Sequence, residues 1–334
     1  MFVYVVFLDG RFVNLARIEI ESLFEAYELK PRIRNNGDRC LVVESDAPLD
    51  AVFLRSALIV EAEKVLGEDP HDICWLSVFN SGQSTNSVPL TYRVEMIDGV
   101  RDREFIDEVY RSITMELPDV LVSLENPQVT LIIRNIDGRR VITKKIATGR
   151  EYAKKRQPMF RHFAPPASMD SIISRTLVNL AGLRTGDIFL DPFCGTGSLV
   201  IEAAAMGFRA IGSDINPSFV EAAKMLSELY GFIADFRVAD ARSLPFDDES
   251  VDGIATDPPY GISSPTYGEK VDILYDRFIN EAYRILRHGG RLVVCYTPKI
   301  NVVDMAESLG FRIVHTMGMY VHSGLTRMIT VLET

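Results

Sequence analysis

Cysteine and tryptophan are scarce in this chain, with four cysteines (Cys40, Cys74, Cys194, Cys295) and one tryptophan in 334 residues. The cysteines show no paired spacing, which argues against a disulfide framework and a zinc site and favours a reducing compartment. A cytoplasmic protein with no metal is therefore expected. Long apolar runs are also missing. The opening MFVYVVFLDG has no basic leader or cleavage site and is far too short to span a bilayer, so no membrane partner is expected. There is no G-x-x-x-x-G-K-[ST], which excludes a P-loop. Net positive charge is lacking too: the balance is −10, with 36 Lys/Arg against 46 Asp/Glu. A global sum can nevertheless hide a local basic surface.

What is present is an ordinary globular composition, 47% hydrophobic and 25% charged, over a length that suits two or three domains. The chemistry-bearing stretch is Asp257-Pro258-Pro259-Tyr260-Gly261, which follows the apolar run Val251 to Thr256. Consecutive prolines stiffen the turn and donate no N–H. The Asp257 carboxylate and the Pro258 carbonyl offer two acceptors at one point, a match for an exocyclic amine, and Tyr260 offers a face on which a flat base can stack.

Taken in order, residues 2–8 read as a strand and 13–27 as an amphipathic helix. Strands at 31–35 and 40–44 flank the turn Asn35-Asn36-Gly37-Asp38, and a helix at 48–56 precedes a strand at 57–66. That β-α-β-β-α-β order predicts a ferredoxin-like module over 1–66. Residues 67–150 predict a second α+β unit: a helix at 69–79, the polar loop Asn80 to Ser87, a strand at 90–97, a helix at 103–117, and strands at 129–136 and 140–147. Between Arg139 and His162 stand Arg139, Arg140, Lys144, Lys145, Arg150, Lys154, Lys155, Arg156 and Arg161, against the single acid Glu151. Phe160 and Phe163 are interleaved, and Pro158, Pro165 and Pro166 mark 151–166 as a basic linker. It reads either as a solvated connector or as a surface that tracks phosphates.

From 167 to 334 the pattern is regular α/β. Strands are expected at 187–190, 209–213, 234–239, 251–256, 291–296, 311–319 and 326–333. Helices are expected at 168–182, Ser198 to Met206, 217–230, 271–287 and 301–309, with His288-Gly289-Gly290 ending the fourth. Such alternation predicts a parallel sheet covered on both faces, a Rossmann-like domain. Four strands in succession end in an acid: Asp191, Asp214, Asp240 and Asp257. Ligands of open α/β sheets sit outside those carboxyl ends. Gly195 and Gly197 allow close backbone approach, Asp214 is placed for ribose hydroxyls, and Asp240 with Ala241 for an adenine edge. A dinucleotide would also suit a ribose-binding acid, but the third glycine expected for a pyrophosphate is missing.

This combination resembles the class I S-adenosylmethionine-dependent methyltransferases, and Asp257-Pro258-Pro259-Tyr260 resembles the signature of those that methylate amines. The whole chain is similar to the archaeal tRNA guanosine-10 N2-methyltransferases, in which a THUMP-like RNA-binding unit and a basic linker precede the catalytic domain. The stretches Phe163 to Asp170 and Leu177 to Ala181 carry that likeness. A sister group acting on guanosine 6 usually has Asn at the position of Asp257. Arg161-His162-Phe163-Ala164 departs from the family's approach to Ser168-Met169-Asp170, and no role at the reacting centre is assigned there.

The resemblance implies S-adenosylmethionine as cofactor and tRNA as partner, with Asp257, Pro258 and Tyr260 at the reacting amine. It implies cofactor contacts from Asp191, Phe193, Gly195, Thr196, Gly197, Asp214, Ile215, Asp240, Ala241 and Asp257. RNA contacts are expected from Lys144, Lys145, Lys154, Lys155, Arg156 and Arg161, and a monomer is expected. The alternatives are N2-methylation of guanosine 6 or of a ribosomal guanosine, a dinucleotide-dependent oxidoreductase, and a non-catalytic RNA-binding protein.

Overall fold

In the computed structural model, residues 1–79, 90–97, 102–157, 168–261, 270–322 and 324–334 are described. They divide into two compact units. One comprises Met1–Leu8, Pro31–Phe53 and Val60–Ala147; the other comprises Asp9–Lys30, Leu54–Ile59 and Thr148–Thr334.

The chain opens with β1 (Phe2–Leu8), α1 (Val13–Ala26), β2 (Arg32–Asn35), β3 (Cys40–Ser45), α2 (Asp50–Arg55) and β4 (Ile59–Gly67), a β-α-β-β-α-β order. The helix expected over 69–79 is instead a 3₁₀ turn, Pro70–Asp72, followed by α3 (Trp75–Phe79). Asp69 caps the turn by accepting the His71 N–H at 2.8 Å, and extended Ile73 separates the two pieces. Next come β5 (Thr91–Met96), α4 (Arg103–Glu116), β6 (Leu121–Val122), β7 (Val129–Ile136) and β8 (Arg139–Ile146). Two residues of β6 were too few for any periodicity to announce them.

These strands form one eight-stranded sheet in the order β2-β3-β1-β4-β8-β7-β5-β6. The seam is the antiparallel β4–β8 pair, running from Ala62 opposite Ile146 to Gly67 opposite Ile142. At the seam the fully buried Glu63 accepts from Arg134 Nε at 2.8 Å and from the Thr143 hydroxyl at 2.6 Å. A buried charge with paired lone pairs is tolerable where a lone one is not. Trp75, Val109, Ile113, Leu131 and Ile133 form the apolar core beneath α4.

The second unit continues with α5 (Gly149–Lys154), a helix inside the stretch read as linker. Only glycine fits its first position: a Cβ on Gly149 would lie 2.5–2.7 Å from the carbonyl oxygens of Leu54, Arg55 and Ser56. Then follow α6 (Ser171–Leu180), β9 (Ile188–Asp191), α7 (Ser198–Ala205), β10 (Arg209–Asp214), α8 (Pro217–Leu229), β11 (Asp235–Val238) and β12 (Val251–Thr256). The chain closes with α9 (Val271–Ile285), β13 (Leu286–Tyr296), α10 (Val302–Leu309), β14 (Arg312–His322) and β15 (Leu325–Glu333).

The sheet of this unit has the order β11-β10-β9-β12-β13-β15-β14. From β11 to β13 neighbours are parallel, and β15 runs antiparallel to β13 and β14. His288-Gly289-Gly290 does not end a helix; it lies within β13. Gly289 takes φ 78°, and the register against β12 slips between Val251 and Gly253, the mark of a bulge. Leu190, Ile254, Leu292 and Val294 pack with Tyr275, Phe278 and Ile279 of α9, all buried. Each such side chain contributes about 1.5–3 kcal/mol, which makes the central strands a rigid base for what projects from their ends. Among the described residues no helix is long and apolar enough to cross a membrane.

Candidate active site at the carboxyl edge of the seven-stranded sheet

The strand order runs outward from β9 through β10 to β11, then returns to the other side of β9 at β12. That reversal is a topological switch point, where the carboxyl ends of two diverging halves leave a crevice. The expected acids stand along it. Asp191 ends β9, Asp214 ends β10, Asp240 lies two residues past β11, and Asp257 follows β12 directly.

Asp191 is buried across the switch point. Its Oδ1 accepts the Thr256 hydroxyl at 2.7 Å and the Phe193 N–H at 3.2 Å. Burial, with help from the charges of Asp214 and Asp257, pushes its carboxyl up to about 7. Asp214 shapes the glycine turn: Oδ2 accepts the Gly195 N–H at 3.0 Å and Oδ1 the Asn216 N–H at 2.8 Å. Its pKa is also raised, by burial, despite those two N–H groups.

The glycine turn enters α7 through two left-handed residues, Gly195 at φ 49° and Gly197 at φ 82°. A Cβ on Gly197 would meet Ala223 and Phe236 at 3.1–3.2 Å, whereas Gly195 has open space where its Cβ would be. Thr196 is buried, with its hydroxyl 3.3 Å from that of Ser168, and the Phe193 ring packs edge-on against Phe278 at 5.1 Å. Ile215 is exposed beside Asp214, and Ala241 is buried. Asp240 is gripped by its neighbour, with Arg242 Nη2 at 2.6 Å, and its pKa is lowered mainly by that bond.

At the end of β12 a closed ring forms. Tyr260 donates its hydroxyl to Asp257 Oδ1. Arg327 donates Nε to the Tyr260 oxygen at 2.9 Å and Nη2 to Asp257 Oδ2 at 3.0 Å. Burial raises the Asp257 pKa, while the Arg327 charge and then the Tyr260 hydroxyl pull against it. Burial raises the pKa of three acids at this edge, Asp191, Asp214 and Asp257, so a cation placed among them would favour their ionised forms.

A family model described as an RMKL-like methyltransferase domain matches residues 158–329, and a DNA methylase model matches 68–225. The chain is 37% identical over 244 residues to a tRNA (guanine(10)-N2)-dimethyltransferase of Methanothermobacter thermautotrophicus, covering 72% of each protein. It is 30% identical to the protein of the same name from Pyrococcus abyssi, covering 97% of each. The chain belongs to the tRNA (guanine(10)-N2)-dimethyltransferase family. In fold it is similar to the crystal structure of TrmN from Thermus thermophilus, with a TM-score of 0.51, 19% identity and 99% of each chain covered. The seven-stranded unit is thus a class I methyltransferase fold and the chain a methyltransferase.

In this family member the expected cations fall into different settings. Lys154 and Lys155 are exposed on and just after α5. Arg156, one residue further, is buried and paired with Glu202, so a phosphate contact from it is replaced by a structural role. Lys144 is half-buried and donates to the Val78 carbonyl at 2.6 Å, and burial lowers its pKa. It too is placed as an internal donor. Lys145 lies 3.6 Å from Glu61. Arg161 lies outside the described residues, as do most of Phe163 to Asp170 and the loop Asn80 to Ser87.

Sequence reasoning missed Arg327 and Thr256. Arg327 stands 70 residues from Asp257 on a strand whose other residues gave no hint of chemistry. Thr256, a polar residue closing the buried run ahead of Asp257, was a signal that could have been read. Among the described residues no group of His, Cys, Asp and Glu is placed to hold a metal ion.

Proposed function

We propose that this enzyme transfers methyl groups from S-adenosylmethionine to the exocyclic N2 amine of guanosine 10 in tRNA, once and then a second time on the same nitrogen. The observation that carries the reading is the Asp257-Pro258-Pro259-Tyr260 turn beside the Gly195–Gly197 turn at one switch point. A cofactor carrying adenine, ribose, an amino acid and a sulfonium fits the residues present. The left-handed Gly195 leaves room for close approach, Asp214 and Asp240 suit hydroxyl and amine donors, and the acid-rich crevice suits a cation. When bound, that cofactor supplies an electrophilic methyl group on positively charged sulfur.

The guanine amine is a weak nucleophile because its lone pair is conjugated with the ring. Asp257 and the Pro258 carbonyl would accept its two N–H bonds, turning the lone pair out of the ring plane toward the methyl carbon. Fixing that line of approach is the main contribution of the site. The anionic carboxylate further favours the positive charge that develops on nitrogen. Transfer would replace one N–H of the amine by an N–methyl bond, the displaced proton passing to water. Tyr260 would carry the base.

A paired guanosine must leave its stack, at a cost on the order of a few kcal/mol. In this reading the ferredoxin-like stretch, the THUMP-like unit and the exposed lysines of the basic segment hold the tRNA and offset that cost. A cytoplasmic monomer is part of the same proposal.

Nucleoside mapping after reaction of an unmodified tRNA transcript tests the assignment. N2-methylguanosine and N2,N2-dimethylguanosine at position 10 are expected. Methylation at position 6, or of ribosomal RNA only, would replace the substrate and leave the chemistry standing.

A further inference from the structure

Arg327 lies at the start of β15, where Met328 is paired with Tyr296, the last residue of β13. Since β15 runs antiparallel to β13, its first residues reach the same edge as the carboxyl ends of β12 and β13. Its side chain is largely buried, 14% exposed, and spans two residues of the DPPY turn with separate nitrogens. A planar fork that fixes a phenol oxygen and a carboxylate oxygen together is a task for arginine and not for lysine.

We infer that Arg327 is a positioning residue for the transfer: it locks the Asp257 carboxylate and the Tyr260 hydroxyl into one ring, so that the amine meets an ionised acceptor in a single orientation. The inference rests on the amine-methylation reading above. Among the described residues five groups bear on Asp257: Tyr260 of the same turn, Arg327 of β15, Asp191 of β9, Cys295 of β13 and Tyr275 of α9. Arg327 is the cation among them. Burial favours a protonated Asp257, which would have lost an acceptor position for the amine. Arg327 opposes it, followed by the Tyr260 hydroxyl. Tyr260 stays neutral, held up by burial and by the Asp257 charge, and so remains a donor. Arg327 exchanges no proton in the step.

Single-turnover methyl transfer to bound tRNA should be followed across the pH range for wild type, Arg327→Gln and Arg327→Lys. With Gln the rate near neutrality should fall about ten- to a hundredfold, the scale of a lost charge-assisted hydrogen bond. The acid limb of the profile should also move to higher pH. Lysine restores the charge but not the fork, so its limb should return toward wild type while its rate stays low.

Thermal unfolding without substrate supplies a second readout. Arg327→Gln should lose more stability than wild type as pH rises from acid to neutral, because a buried carboxylate then ionises without its cation. Adding Asp257→Asn should abolish that extra loss. An unmoved acid limb in Gln beside an active wild type, or identical Gln and Lys profiles, overturns the inference and spares the methylation reading. If wild type transfers no methyl to any tRNA, both fall. Should Gln fail to fold, Lys carries the test: a limb as in wild type with a reduced rate supports the inference, and a wild-type rate and limb overturn it.

Discussion

Arg156 makes two parallel hydrogen bonds to Glu202, Nε to one carboxylate oxygen and Nη2 to the other, each 2.7 Å. Glu202 lies on α7, the helix that opens from the glycine turn, and is fully buried, with Arg175 Nη1 a further 3.3 Å away. The pair therefore ties the end of the α5 segment to the helix that follows the glycine turn. Removing one member of a buried pair costs about 3–5 kcal/mol, because the other is left buried and uncompensated. Arg156→Gln should destabilise the protein by about that amount, measured by denaturant unfolding, and leave the salt dependence of tRNA binding as it was. Wild-type stability in this variant would mean that Arg175 alone satisfies Glu202.

The exposed lysines give the opposite pattern. Replacing Lys154 and Lys155 by Glu should weaken tRNA binding and flatten its salt dependence. Each lost phosphate contact should reduce the slope of log K against log salt by ~0.7–0.9, with cofactor affinity unchanged. A slope equal to that of wild type would make α5 and its flank a solvated connector.

The contrast between neighbours Lys155 and Arg156 shows where reading from sequence stops. Composition located the basic segment but could not say which cation meets water, since that depends on Glu202, 46 residues away. Strand ends were different. Asp191, Asp214 and Asp257 each follow a buried apolar run, and the position of an acid after such a run is local information. Local signals failed where two conformations share one pattern. His288-Gly289-Gly290 has the form of a helix stop, yet the left-handed Gly289 serves a bulge within β13. The β4–β8 seam and the Arg327 ring are pairings over long separations, and nothing near either partner announces the other. Nothing in the residues next to Gly149 marks the three carbonyls, of Leu54, Arg55 and Ser56, that crowd its Cα.

Asp191 sets a pH dependence of stability. Its carboxyl titrates at about 7 in the folded chain, first because it is buried and then because Asp214 and Asp257 are near. In the unfolded chain it should titrate at about 3.9. Between those values the folded state holds the additional proton, so this group makes stability fall as pH rises from about 4 to about 7. Below that window both states are protonated and its penalty is absent. Asp191→Asn keeps an acceptor oxygen for the Thr256 hydroxyl and cannot ionise. Its melting temperature should decline less than that of wild type across the window. Parallel curves would show that Asp191 is not the titrating group.

The Asp257 substitutions separate geometry from charge. One oxygen accepts from Tyr260 and the other from Arg327 Nη2 at 3.0 Å, so the carboxylate is both an anchor and half of an ion pair. Asparagine offers one acceptor oxygen. With that oxygen toward Arg327, its amide can face the Tyr260 oxygen, and much of the orientation survives. The charge does not: the Arg327 cation then stands uncompensated beside a nitrogen that becomes positive as the methyl arrives. Losing that electrostatic support should slow single-turnover transfer on the order of 10²–10³. Alanine removes the anchor as well and should be slower still, with cofactor affinity little changed in either variant. If the stranded cation is the cause, Asp257→Asn combined with Arg327→Gln should be faster than Asp257→Asn alone. A double variant slower than both single ones would assign the loss to geometry. An alanine variant that transfers at the wild-type rate would remove Asp257, and the ring built on it, from the reaction.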